Sequence, residues 1–163
     1  MRIDRLELAA YGPFTNVSIE FDREIGLHVV FGPNEAGKSS ALRAVSDLFF
    51  GVPTQTTDNF LHAYDALRIR ATITARDGRT LDFVRRKGRS GSDLLDASGR
   101  ALARDVLVPF LGSAERDFFE RSFGLDPRRL AAGAMDLLQS GGDGGRAVLQ
   151  ATAGLSGRSA RLD

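Results

Sequence analysis

LHVVFGPNEAGKSS, residues 27–40, is the stretch that decides how this chain folds. An apolar run, Leu27-His28-Val29-Val30-Phe31, ends in Gly32. Gly37, Lys38, Ser39 and Ser40 close a G-x-x-x-x-G-K-S motif. Leu42, Val45, Leu48 and Phe49 then recur at helical spacing, and Gly51 and Pro53 end the pattern. Strand, glycine-rich loop and helix in that order are the context a phosphate-binding loop requires. The uninterrupted apolar run is also how a buried parallel strand reads.

The residue types suit a triphosphate. Neutralising dense negative charge takes many donors converging on one point. Gly32 and Gly37 allow a backbone curl in which successive N–H groups face inward as an anion nest. The helix starting near Gly37 adds its unpaired first-turn N–H groups and its positive end. Between the glycines, Pro33, Asn34, Glu35 and Ala36 form the body of the loop. Lys38 is expected to reach the β- and γ-phosphates, the Ser39 hydroxyl to bind Mg²⁺, and Ser40 to meet the α-phosphate. A plain glycine-rich turn is the competing reading. Against it stands composition as well as context: the chain carries 20 arginines and two lysines, Lys38 and Lys87.

Composition sets outer bounds. At 163 residues the chain is one domain or slightly more, with enough length for a core. A net charge of +1 gives no global attraction to nucleic acid or anionic membrane, so any basic surface is local. With no cysteine there is neither a disulfide frame nor a thiolate metal site. No apolar run has membrane-spanning length and no signal peptide opens the sequence, so a cytoplasmic protein is expected.

Before the loop, residues 2–10 read as a strand, Tyr11-Gly12-Pro13-Phe14 as a turn, and Val17, Ile19 and Phe21 as an alternating second strand. After the loop's helix, residues 54–59 read as a plain loop. Leu67, Ile69, Ala71 and Ile73 alternate with polar residues, Asp77-Gly78 signals a hairpin, and Leu81 and Phe83 continue the alternation. A further turn at Ser98-Gly99 follows Leu94-Leu95. Residues 62–102 are therefore expected to form an antiparallel meander. Residues 68–89 carry eight basic and two acidic side chains, a local balance of +6. A solvated sheet face explains this. The alternative is contact with a DNA backbone, for which Arg85, Arg86 and Lys87 are the candidates. Residues 103–111 and 113–123 look helical, with Phe118, Phe119 and Phe123 expected in the core. Asp126-Pro127 reads as the start of another helix running through Leu138, and residues 146–155 as a last one.

What a self-sufficient triphosphatase also needs is absent. No run of four apolar residues leads into an aspartate that would hold Mg²⁺, and no N-K-x-D selects guanine. Two serine-glycine segments, at Ser140-Gly141 and Ser156-Gly157, lack the acidic strand that should follow, so both read as loops. The sequence thus contains a nucleotide pocket without the acidic half. Two other classes stay open. One is a complete small P-loop kinase or NTPase whose metal carboxylate is Asp47 or Asp58. The other is a nucleic-acid-binding module that uses the arginine-rich meander.

The opening strands, the YGPF turn and FGPNEAGKSS resemble the N-terminal head segment of SMC-like ATPases. Within that group the likeness is to the YhaN and SbcC type, with RecF and RecN more distant. His62 to Ile69, Phe123 to Asp126 and Leu149 to Leu155 are similar to YhaN-type sequence too, so the resemblance spans nearly the whole chain. It implies an α/β P-loop lobe of ABC/SMC type: a mixed sheet with the 27–31 strand central, an antiparallel meander, and surrounding helices. Residues 1–53 would supply the opening strands and the loop with its helix, 62–102 the meander, and 103–163 a helical part leading toward a coiled coil.

The resemblance further implies an ATP- and Mg²⁺-dependent ATPase completed by a C-terminal half that carries a serine-containing motif and an acidic pair. A second head would make a homodimer. DNA would be the cargo, in repair or end processing, with a nuclease subunit as a further partner. The isolated chain would turn over negligibly. One departure is visible: the glutamine that such heads place after a strand to hold Mg²⁺ is missing near Phe123-Gly124-Leu125-Asp126, where Asp126 is the nearest substitute and reads better as a helix cap.

Overall fold

A computed structural model describes residues 1–88 and 91–124. Five strands form a single antiparallel sheet in the order β2-β1-β3-β4-β5. β1 (Arg2–Tyr11) and β2 (Phe14–Glu20) make the opening hairpin, with Tyr11 opposite Phe14 at its closed end. Gly12 sits in the turn at φ 54°, a sign that a two-residue hairpin turn readily takes when glycine leads it. β3 (Arg68–Thr74) pairs with the other edge of β1, and β4 (Thr80–Arg86) and the short β5 (Leu94–Asp96) complete the meander. The Asp77-Gly78 turn is where the sequence puts it, with Gly78 at φ 87°.

Alternation decides which face is dry. On β3, Ile69, Ala71 and Ile73 are buried while Arg68, Arg70, Thr72 and Thr74 are half-exposed. Leu6, Leu8 and Tyr11 of β1 and Phe83 of β4 join them in one core. The helix α1 (Lys38–Phe50) covers that face through Ala44, Leu48 and Phe49. Each fully buried side chain of this size contributes roughly 1.5–3 kcal/mol by leaving water. The wet face is laced with pairs: Arg70 meets Asp82 at 2.7 Å and Arg5 meets Glu20 at 3.1 Å. A 3-10 turn, Arg104–Leu107, runs into α2 (Val108–Leu111), and α3 (Arg116–Ser122) follows.

The α/β class and the meander are as expected; the 27–31 segment differs. It was expected at the centre of the sheet, yet it pairs with no strand among the described residues. Leu27, Val29 and Phe31 are 76%, 72% and 89% exposed. A strand buried on both faces needs flanking strands, and the five described strands already pair with one another in a separate sheet. His28 packs edge-on against Phe21, with ring centroids 5.2 Å apart.

The three phenylalanines near residue 120 divide. Phe119 packs against Phe49 and Phe50; Phe118 is exposed on the other face of the helix, and Phe123, just past the helix end, touches Phe119 but is otherwise exposed. The helices expected from Asp126 onward, the serine-glycine segments and Arg89 lie outside the described residues.

Candidate nucleotide-binding site

The phosphate loop is shaped by its neighbours as much as by its own glycines. Gly37 is the N-cap of α1 at φ 90°. A Cβ there would stand 2.6 Å from the Phe14 ring and 2.7 Å from Pro13, so only glycine fits both the backbone and the space. Gly32 needs no positive φ; the second left-handed residue of the loop is Glu35, at φ 66°. Ala36 N–H donates to Pro33 O at 3.3 Å and Ala41 N–H to Gly37 O at 2.8 Å. The amides of Lys38, Ser39 and Ser40 come before the first intrahelical bond and stay available at the helix's positive end.

Lys38 folds back over the loop, where its Nζ donates to Gly32 O and Pro33 O, both at 2.7 Å. The ammonium therefore sits on the loop it serves. Around it lies a cavity of about 480 Å³ lined by Asn34, Glu35 and Gly37 through Ser40, with Pro13 and Phe60 as its flanks. Ser39 faces this cavity from the first turn of the helix. Mg²⁺ takes oxygen ligands and keeps several waters beside phosphate oxygens, so one hydroxyl in this position fits the ion. Ser40 is buried and accepts a hydrogen bond from Arg43 Nη2 at 3.1 Å.

Beneath the loop is a buried polar chain. Tyr11 donates its hydroxyl to Asp47 Oδ2 at 2.7 Å and reaches Asp58 Oδ2 at 3.3 Å. Arg43 grips Asp58 with two bonds, 2.6 and 2.7 Å. Arg116 donates to Asp47 Oδ1 at 2.9 Å. Burial raises the Asp47 carboxyl above its usual range, and the Tyr11 and Arg116 bonds offset this only in part. Burial also pushes Asp58 upward, but Arg43 and the other donors outweigh it and hold Asp58 below the usual range. Tyr11 is raised by burial and by Asp47 and stays a donor. Asp47 and Asp58 are thus committed to Tyr11, Arg43 and Arg116, which leaves neither free as a metal carboxylate for a self-sufficient enzyme.

The candidate DNA-contact cations have other partners. Arg85 is 1% exposed. It donates to Leu48 O at 2.9 Å, to Phe49 O at 3.0 Å and to Asp93 at 2.9 Å. Lys87 donates to Val52 O at 3.0 Å and Pro53 O at 2.7 Å, and Arg116 donates to Gly51 O. Arg85 and Arg116 therefore close the carbonyl end of α1, where the helix dipole is negative, and Lys87 holds the segment just after it. Arg86 donates to Ser92 O at 2.7 Å. Arg85 cannot touch a DNA backbone from inside the core, which corrects that expectation. Its position follows from strand phase: Leu81, Phe83 and Arg85 share one face of β4.

A family model described as an AAA domain matches residues 1–163. The chain belongs to the AAA domain family. This AAA domain is also similar to the DNA replication and repair protein RecF of Magnetococcus marinus, at 30% identity over 122 residues. The match covers 67% of this chain and 31% of that protein, so the chain spans about a third of the relative's length. A solved structure described under ATP-driven dimerization and DNA-stimulated activation of SMC ATPases superposes with TM-score 0.49 and 16% identity. It covers 83% of this chain and 99% of that one, a likeness too remote to build on.

Around the phosphate loop of this AAA domain, Arg43 and Phe60 were not expected from the sequence, and Asp58 was expected only as a metal carboxylate. Arg43 had a signal: it lies three residues past Ser40, on the same helical face. Phe60 had none, and nothing in the sequence showed Asp58's partners, because residues 54–63 have no periodicity. Among the described residues no group of three or more His, Asp or Glu is placed to hold a metal by itself. No described helix is long and apolar enough to cross a membrane.

Proposed function

We propose that the chain is the ATP-binding N-terminal segment of a composite SMC-like ATPase head of YhaN/SbcC type. The cradle of loop amides, Lys38 and Ser39 binds Mg²⁺–ATP. Lys38 leaves its two carbonyls for the β- and γ-phosphates, Ser39 gives one oxygen to the ion, and Ser40 stands at the α-phosphate. Magnesium would neutralise charge developing on the phosphates when bound. Residues 1–53 carry the opening strands and the loop, 62–102 the meander, and 103–163 lead toward a coiled coil.

The observation that supports a divided head is the 27–31 segment. Four large apolar side chains, Leu27, Val29, Val30 and Phe31, are exposed immediately before the loop. Water is the wrong environment for such a run. The C-terminal half of the head supplies strands to either side of it and, with them, the missing acidic residues. Two completed heads form a homodimer with ATP between them, closing on binding and opening on hydrolysis. DNA in repair or end processing is the cargo, a nuclease subunit a further partner, and the cytoplasm the compartment.

Equilibrium binding and turnover on the chain alone test this reading. Mg²⁺–ATP should bind, and Lys38→Ala should weaken it by at least about tenfold, a loss of roughly 1.4 kcal/mol. Turnover should stay far below about 1 s⁻¹, the bottom of the ordinary enzyme range. Hydrolysis at that rate or above without a partner would show that the chain is self-sufficient.

A further inference from the structure

The segment between α1 and β3, residues 51–63, is fastened to the phosphate loop's surroundings at two points. At the first, Gly12 N–H donates to Asp58 O at 2.7 Å, while the Asp58 carboxylate takes Arg43 and the Tyr11 hydroxyl. At the second, His62 Nε2 meets Phe14 O at 2.7 Å. Gly12 and Phe14 are the residues either side of Pro13, whose ring also bounds the cavity. The strap and the hairpin turn therefore hold a fixed position beside the loop.

Between the two fastenings stands Phe60. It is 69% exposed and forms one wall of the cavity whose floor is the phosphate loop. A large aromatic ring held by well-anchored neighbours and left open to a polyphosphate site is placed to cover whatever the phosphates are attached to. We infer that Phe60 is the stacking platform for the nucleobase. The ligand class is a nucleoside triphosphate held at its base by ring contact. Stacking uses the π-face every base has, so ATP and GTP should be accepted with similar affinity.

This inference rests on the nucleotide reading of the loop, and inorganic tripolyphosphate separates the two. Phe60→Ala should weaken Mg²⁺–ATP by about five- to a hundredfold, the range that stacking one base contributes. It should leave tripolyphosphate affinity unchanged. Phe60→Tyr should bind ATP like the parent. The chain has no tryptophan, so Phe60→Trp supplies a single indole that can be excited apart from the two tyrosines. ATP should quench it and tripolyphosphate should not. Equal ATP affinity in parent and Phe60→Ala, with tripolyphosphate still bound, would overturn the inference and spare the loop reading. Equal weakening of both ligands would also overturn it, since Phe60 would then be supporting the loop. Failure of the parent to bind either ligand would remove the loop reading and this inference together.

Discussion

Arg85 donates to Asp93 at 2.9 Å with both side chains inside the protein. A guanidinium is expensive to bury, and this one is kept charged by three acceptors: the Asp93 carboxylate and two carbonyls at the end of α1. The same strand that looks like a basic DNA-binding stripe thus works as a tie between sheet and helix. Arg104 donates to the same Asp93 oxygen, Oδ2, at 3.0 Å.

Arg85→Ala should destabilise the chain by at least about 2 kcal/mol, because two buried helix carbonyls lose their donor while Asp93 keeps Arg104 as its cation. Arg86→Ala, with its head on one backbone carbonyl, should lose no more than about 1 kcal/mol. Urea denaturation followed by circular dichroism measures both. Equal losses would mean that Arg85 contributes no more than a surface cation.

Gly37→Ala should disable the phosphate loop through its backbone. Residue 37 sits at φ 90° against Pro13 and Phe14, so a methyl group forces either the helix start or the hairpin turn to move. The backbone conformation alone costs of order 1–3 kcal/mol. Nucleotide affinity should fall at least tenfold, together with a drop in melting temperature. Lys38→Ala should lose comparable affinity with little change in melting temperature, because its head touches only loop carbonyls. If Gly37→Ala bound ATP normally, the close approach of Phe14 to the loop would not be a feature of the working protein.

Periodicity made most of the scaffold readable. The two hairpins, the helix after the loop and the buried Ile69, Ala71 and Ile73 all follow from spacing and turn residues. It failed where a residue's role comes from a partner distant in sequence. Asp58 lies in an aperiodic segment, and Tyr11, Gly12 and Arg43, which fix its role, are 15 to 47 residues away. The basic run at 85–87 misled for a different reason. A charge count treats the strand as one surface, whereas a strand has two, and Arg85 lies on the dry one. The 27–31 segment has the composition of a central strand, but the strands that would make it central are not among the described residues.

Asp58 should give the chain a distinct acid sensitivity. Its carboxyl is held below the usual range by Arg43, so the folded chain binds that proton less readily than the unfolded chain does. Its ionisation therefore favours folding above about pH 4, and the benefit is lost as pH falls through the lowered native value. Asp58→Asn removes the charge and one acceptor. The parent should be more stable than the variant by about 1–3 kcal/mol at neutral pH. The gap should narrow steadily below about pH 4. Asp47 shares Tyr11 with Asp58 and is pushed up in part by its charge, so Asp58→Asn relaxes Asp47 as well and the comparison reads the pair. Stability curves for parent and variant that stay parallel from pH 7 down to about 3 would remove Arg43 as the cause.

The exposed run before the loop should make the isolated chain self-associate. Val29 and Phe31 are 72% and 89% exposed, two residues apart. In an extended chain, side chains two residues apart point the same way. Together with Leu27 they would form an apolar stripe beside backbone groups that no described strand satisfies, which invites pairing with another copy. Val29→Lys with Phe31→Lys places two like charges on that stripe and opposes such pairing. Sedimentation should show concentration-dependent association of the parent, shifted to at least about tenfold higher concentration in the double variant, which corresponds to about 1.4 kcal/mol of lost contact. Affinity for Mg²⁺–ATP should be retained, because neither side chain lines the cavity. A parent that stays monomeric at high concentration would mean that 27–31 covers itself in solution, and the case for a separate half packing over it would lose its main support.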